Sequence, residues 1–538
     1  MRKLLLASAA MLGATGVASA QAPAPATANM MMAPSQGMMA LPWVAGPAAN
    51  NNNNGFGQPG TYKGGAAFGR NAVPTPGTVV IRLNGRVEVD GAYFATSANK
   101  FTTTDGKSYK INPIGIGAYM RLYPGVDGMT TNGLRYGASV EIRQNFASAN
   151  AYGFTGTTTT TGGAATGFTP AGNTIGTTAT GGSGGTSAQT LYVRRAFAYL
   201  ASDNFGIVRM GTTDGVISLF DPCIFSAQCW DAGIGQLNGG GIQFAAPGAA
   251  VGIPFAWLAQ AGNEYGNAKI VYLSPQFFGL DFGVQYAPSM GSLYSNSVGG
   301  SPVQATTCNA PGQSISAGSA TVPGQSLSGC SGTSTGADPT RWLNQVGVGA
   351  RWQGSFGPVD LGVYAFYETA GKESFNGVAT SPVKGVIGNA ATLKYDNLSF
   401  ISAAGYMTVN LPVGSVTYSA DYIGGRLNGQ LSMTPTGGVD EKALVTGLLY
   451  RNGPLTLGAE VGVVNSQGAA QLTGISQRRE FEVAFGGAYT ITPGLVLAAE
   501  YMYTQRHQGG FNFLSGATGA ANNDVHGQGV IMSTIVTW

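Results

Sequence analysis

From Val79 onward the chain alternates apolar and polar residues one at a time, a period of two that fits extended strands and not helices. Val79, Ile81, Leu83, Val87 and Val89 fall on one phase, while Arg82, Asn84, Arg86, Glu88 and Asp90 fall on the other. The pattern recurs. Leu134, Tyr136, Ala138, Val140 and Ile142 oppose Arg135, Ser139, Glu141 and Arg143. Val346, Val348, Ala350 and Trp352 oppose Gln345, Arg351 and Gln353, and Leu455, Leu457, Ala459, Val461 and Val463 oppose Thr456 and Glu460.

The segments between these strands alternate in length. Tyr123-Pro124-Gly125, Ser202-Asp203-Asn204, Arg451-Asn452-Gly453-Pro454 and Thr492-Pro493-Gly494 read as short turns, whereas 148–188, 289–340 and 508–524 are long stretches rich in Gly, Thr and Ser. Short turns on one rim and long loops on the other are the asymmetry of an outer-membrane barrel, whose closure leaves no unpaired backbone in lipid. About 460 residues from Val79 suit sixteen strands of roughly ten residues, with eighteen as the other count. The fold class expected is therefore all-β, a transmembrane antiparallel barrel.

A soluble β-sandwich would alternate too, but it would carry a charged surface around an apolar core. Only 9% of this chain is charged where about 25% is usual. Tyr119, Tyr123, Tyr192, Tyr199, Tyr489, Tyr501 and Tyr503 near strand ends fit lipid-facing girdles. After the N-terminal segment, no apolar run approaches bilayer-spanning length without interruption, so helical spans are excluded.

Residues 1–20 place Arg2 and Lys3 before an apolar run and end in Ala18-Ser19-Ala20, the pattern of a secretory signal peptide. Losing it would take the formal net charge from +3 to about +1, which argues against a nucleic-acid partner. Residues 21–77, rich in Ala, Pro, Met, Asn and Gly, read as a low-complexity lead-in, and 78–538 as the barrel domain. In an exported chain, Cys223 with Cys229 and Cys308 with Cys330 can each close a small loop as a disulfide; free thiols are the other reading. The only histidines, His507 and His526, lie far from these cysteines, so neither a metal site nor a cofactor is expected.

Three stretches stand out: Arg121-Leu-Tyr-Pro-Gly-Val-Asp-Gly128 with Gly133-Leu-Arg-Tyr-Gly137 and Glu141-Ile-Arg143, then LYVRRAFAYLASDNFGIVRMGTTDGVISLFD over 191–221, and the final IMSTIVTW. They resemble the porins of alphaproteobacteria. The resemblance implies a homotrimer of sixteen-stranded barrels in the outer membrane, surrounded by its lipid, with a third loop folded into the lumen. It further implies passage of small hydrophilic solutes and ions. Terminal Trp538, where Phe is commoner, would be the signal read by the barrel assembly machinery.

If the apolar phase meets lipid, then Arg82, Arg86, Arg121, Arg135, Arg143, Arg194, Arg209 and Arg351 project inward. Arg195, adjacent to Arg194, would turn outward unless a bulge intervenes. Residues 214–241 form the candidate constriction loop, setting Asp214, Asp221 and Asp231 against those arginines, a segregation that would impose a transverse field on passing solutes. The other classes weighed are a channel specific for sugar, phosphate or an organic acid, a structural barrel, and a barrel enzyme. The last is disfavoured, since no nucleophile motif such as a G-x-S-x-G elbow stands out.

Overall fold

In a computed structural model the described residues are 74–97, 100–102, 108–110, 113–145, 158–161, 164–168, 191–202, 204–220, 265–289, 342–372, 396–428, 433–468, 474–492, 494–513 and 517–538. Sixteen antiparallel strands close a barrel. In chain order they are β1 (Val79–Thr96), β2 (Ile114–Met129), β3 (Arg135–Asn145), β4 (Leu191–Ser202), β5 (Gly206–Asp214), β6 (Tyr265–Leu273), β7 (Leu280–Ser289) and β8 (Trp342–Phe356). The second half comprises β9 (Val359–Lys372), β10 (Leu398–Asn410), β11 (Ser415–Arg426), β12 (Glu441–Asn452), β13 (Leu455–Ser466), β14 (Arg478–Thr492), β15 (Leu495–His507) and β16 (Asp524–Thr537). Each strand pairs with its sequence neighbours, and β16 pairs with β1. One short helix, α1 (Val216–Phe220), follows β5.

Closure satisfies the backbone. Along the seam the register runs from Arg86 opposite Thr537 to Thr96 opposite Gly527. Gly85 and Trp538 extend it by exchanging two backbone hydrogen bonds of 3.1 and 3.2 Å. The indole lies over Gly85 so closely that a Cβ there would collide with the ring.

The outside is apolar and the inside polar, the inverse of a soluble domain. Ile81 is 80% exposed and Met210 62%, whereas Arg86, Glu88, Glu141, Arg195 and Arg209 are fully enclosed. On β16 the alternation is unbroken, with Val530, Met532 and Val536 outward and Ile531, Ser533 and Ile535 inward. An aliphatic outer surface is stable only against hydrocarbon, and a closed ring is the one sheet that leaves no edge there.

Seven connections of two to six residues join strands at one rim, and the connections at the other rim run from 11 to 52 residues. Gly494 shows why the short ones take their residues. Its φ is +90°, a Cβ would come within 2.7 Å of the Thr537 carbonyl, and its own carbonyl accepts from the Thr537 N–H at 2.8 Å.

Two sequence readings are corrected. Tyr123-Pro124-Gly125 is no turn but lies within β2, whose pairing with β1 continues through Leu83 opposite Pro124. Toward β3 the ladder skips from Leu122–Ile142 to Gly125–Ser139, the interruption expected where proline has no N–H to donate. The true turn is 130–134, with Gly133 at φ +87°. Tyr123 and Tyr199 face the interior instead of a girdle, and the Tyr199 hydroxyl donates to Asp127.

Candidate functional site

Charge collects inside the barrel. On β1 to β3, Arg86 stands opposite Arg121, and Arg121 opposite Arg143, a row of three arginine positions across neighbouring strands. Arg86 pairs with Glu88 on its own strand, and Asp90 accepts from the Ser533 hydroxyl at 2.5 Å. Arg135 sits near the short-turn end of β3, half-buried. Arg82 is in register with Gly125. The side chains at 82, 143 and 194 lie outside the described residues.

Between β3 and β4 the register slips at Glu141/Ile142, so that Glu141 meets Arg195 and Ile142 meets Val193. Residue 194 is the extra residue of this bulge. The slip reverses the phase of the strand: Val193 is exposed, and Arg195 is enclosed with its Nε 2.8 Å from Glu141 Oε2 and Nη1 2.5 Å from Asp214 Oδ2. On β5, Arg209 lies 4.9 Å over the ring of Phe197, and Lys269 on β6 is also enclosed.

At the start of the third long connection, α1 turns into the barrel and packs on the inner faces of β6 to β9. Its Val216, Ile217, Leu219 and Phe220 join Val271, Leu273, Phe366 and Phe400 in one apolar cluster. Glycines make the seat: a Cβ on Gly283 would lie 2.9 Å from Val216 Cγ1, and one on Gly349 3.1 Å from it. The Val216 N–H donates to Gln285 Oε1 at 2.5 Å, Gln285 Nε2 donates to Glu368 at 3.0 Å, and Gln345 Nε2 donates to the other Glu368 oxygen at 2.5 Å. Phe220 lies 4.8 Å under the Arg351 guanidinium, which is itself bidentate to Asp281 at 3.1 and 2.6 Å.

The far wall is acidic. Asp421, Glu441, Glu460, Glu482 and Glu500 are all enclosed on β11 to β15, several beside inner glycines, as Glu482 is beside Gly462 and Glu500 beside Gly486. In a ring of sixteen, strands eight places apart lie across the lumen from one another. The arc of Arg195, Arg209 and Lys269 on β4 to β6 therefore faces the arc of β12 to β14.

Of the expected site residues, Arg86, Arg121, Arg135, Arg209, Arg351 and Asp214 are described and turn inward. Asp221, Asp231, Cys223, Cys229, Cys308 and Cys330 lie outside the described residues. Sequence reasoning missed Gln285 and Glu368, and the acids of the far wall beyond Glu460, although Glu482 and Glu500 sit on the polar phase of their strands; it put Gln345 on the polar phase without a role, and turned Arg195 inward only if a bulge intervened. Among the described residues no group of three or more His, Cys, Asp or Glu side chains is placed to hold a metal ion.

Polar and titratable side chains within and aliphatic ones without define a protein that crosses the outer membrane with strands and conducts through its middle. The chain belongs to the Gram-negative porin family, which it matches over residues 7–509. It resides in the outer membrane and passes solutes by passive diffusion. Similar solved structures include an anion-selective porin from Comamonas acidovorans, at 15% identity and TM-score 0.44, covering 86% of this chain and 100% of that one. A mutant of the Rh. blastica porin gives 12% identity and TM-score 0.39, covering 85% and 100%. Vibrio cholerae OmpT in its trimer form gives 11% and 0.41, covering 86% and 100%. Among curated protein sequences, none matches the chain.

Proposed function

We propose that this porin is a general diffusion channel for small hydrophilic solutes and ions, narrowed by residues 214–241 and assembled as a homotrimer. The observation that carries the narrowing is α1, which starts the third long connection by leaving the rim and docking inside the barrel. From there Asp221 and Asp231 would enter the lumen opposite the inward arginines, Arg82, Arg143 and Arg194 would add to the basic lining, and the Cys223–Cys229 bridge would stiffen the turn. Cys308 with Cys330 would tie the fourth long connection. A dry interior would cost several kcal/mol for every ion it held, so a lining this rich in charge supports a water-filled lumen. No catalytic role is part of this proposal. The row of Arg86, Arg121 and Arg143 favours, as a second reading, a channel specific for phosphate or organic acids.

The start of β1 at Val79 supports a barrel of 78–538, and ahead of it we assign 1–20 to a leader and 21–77 to a lead-in. Trp538, exposed at the closing seam, is the residue we assign to recognition by the barrel assembly machinery. Planar bilayers test the whole reading. Conductance in steps of three is expected for the homotrimer, and replacing Asp221 or Arg209 with a neutral residue should move the reversal potential in a salt gradient. Silence in the bilayer removes the channel, single independent steps remove the trimer, and an unmoved potential in both variants removes the constriction.

A further inference from the structure

The outer wall of β12 to β14 carries a feature that conduction does not use. At the long-connection rim, Lys442 on β12 stands opposite Asn465 on β13, and Asn465 opposite Arg479 on β14, so the three residues form one row across neighbouring strands. All three sit on the outward phase, and Lys442 and Arg479 are exposed. The row continues through His507 to Asp524, whose Oδ1 is 2.6 Å from His507 Nδ1. With Val439, Asp440 and Gln477, the first three line an open depression of about 460 Å³ at the rim.

Charge and position narrow what this depression takes. Asp440, its one lining acid, has its carboxylate 2.9 Å from Arg426 Nε. Lys442 and Arg479 have no ion pair among the described residues. Two residues further toward the membrane middle, the same strands present Leu444, Val463 and Phe481, in register with one another and exposed. Two cations directly above an apolar wall match an anionic head carried on acyl chains. Long connections mark the outward-facing rim of such barrels, so the leaflet at this height is the outer one.

We propose that the depression at Lys442, Asn465 and Arg479 binds the phosphate-bearing headgroup of an outer-leaflet glycolipid. Lys442 and Arg479 contact the phosphate, Asn465 donates a hydrogen bond between them, and Leu444, Val463 and Phe481 pack on the first methylenes of its chains. The ligand rests on the outside of the barrel, so its binding and the conductance of the lumen are separable.

Full-length protein, stripped of lipid in a neutral detergent, is titrated in native mass spectrometry with a bis-phosphorylated acyl glucosamine disaccharide and with the same lipid after removal of its phosphates. The wild type should hold the phosphorylated form about tenfold or more tightly over the other, and the double variant Lys442→Gln/Arg479→Gln should lose that preference. The control Lys110→Gln, at an exposed lysine elsewhere in the chain, should keep it. Unchanged single-channel conductance of the double variant shows that its barrel is intact. Equal binding of the two lipids, or an unchanged preference in the double variant, overturns the proposal. Displacement of the lipid by millimolar inorganic phosphate overturns it in favour of a free-phosphate site, and dissociation of the oligomer in the double variant with lipid preference intact assigns the row to contact between copies.

Discussion

A single inserted residue decides which arginine reaches the lumen between β3 and β4. Alternation alone sends Arg194 inward and Arg195 out, and the bulge at Glu141/Ile142 reverses the second of these, burying Arg195 between Glu141 and Asp214. Bulges re-aim side chains in this way at the working parts of sheets. Replacing Arg195 with Gln leaves two enclosed carboxylates without their shared guanidinium, a change of about 3–5 kcal/mol in comparable buried pairs. We expect a clear fall in the urea midpoint of the refolded barrel, measured by tryptophan fluorescence in detergent, and a loss no larger than that of a lipid-facing Val193→Ala would contradict the pairing. The period of two was legible throughout the strands because lipid on one side and polar lumen on the other enforce it. A bulge was not legible, since it costs one residue and leaves no compositional mark. Tyr199 shows the same limit: its hydroxyl finds Asp127 across the interior, and nothing local in the sequence distinguishes it from a girdle tyrosine.

At the scale of elements, α1 is held by shape as much as by hydrogen bonds. Its entry is legible only as Val216, Ile217, Leu219 and Phe220, interrupted by Ser218, soon after Asp214; the seat is built from positions far apart in the chain. Gly283 and Gly349 leave room for Val216, and the polar chain Gln285–Glu368–Gln345 holds the first turn. In the strand of Val359–Lys372 the inner face carries Tyr364 and Phe366, so an apolar inner surface is available where a purely polar lumen would leave none. Gly349→Leu fills that seat. Overpacking of this kind costs about 1–3 kcal/mol, and it should lift α1 off the wall toward the axis. Single-channel conductance in the variant should fall, while the same substitution at Gly91, which has open space where a Cβ would go, should leave it unchanged. Equal conductance in the two variants would mean that α1 does not set the width of the lumen.

For the whole molecule, the balance of charge matters more than its sum. A formal net charge of +3 says little about what crosses, because the inner walls separate what the total cancels. Basic groups on β4 to β6 face Glu460 and Glu482 across the lumen, and Glu500 extends the acidic arc. On the proposed reading the two arcs would place a transverse field on the water path, focused by the low-dielectric lipid outside. The acids of the far wall stand beside Gly462 and Gly486, and the Glu482 side chain lies over Gly462, in the room that its missing Cβ leaves. Toward the short-turn rim Glu482, Glu460 and Glu500 follow one another on that wall, and Arg209 and Lys269 lie on the wall opposite. Replacing Glu460, Glu482 and Glu500 together with Gln removes one arc and leaves the other, so the reversal potential in a potassium chloride gradient should shift toward the chloride equilibrium value. Replacing Arg209 and Lys269 with Gln should shift it toward that of potassium. Shifts of the same sign in the two variants, or none in either, would mean that the wall charges are balanced locally by their neighbours and that the solute path is governed by the third long connection alone.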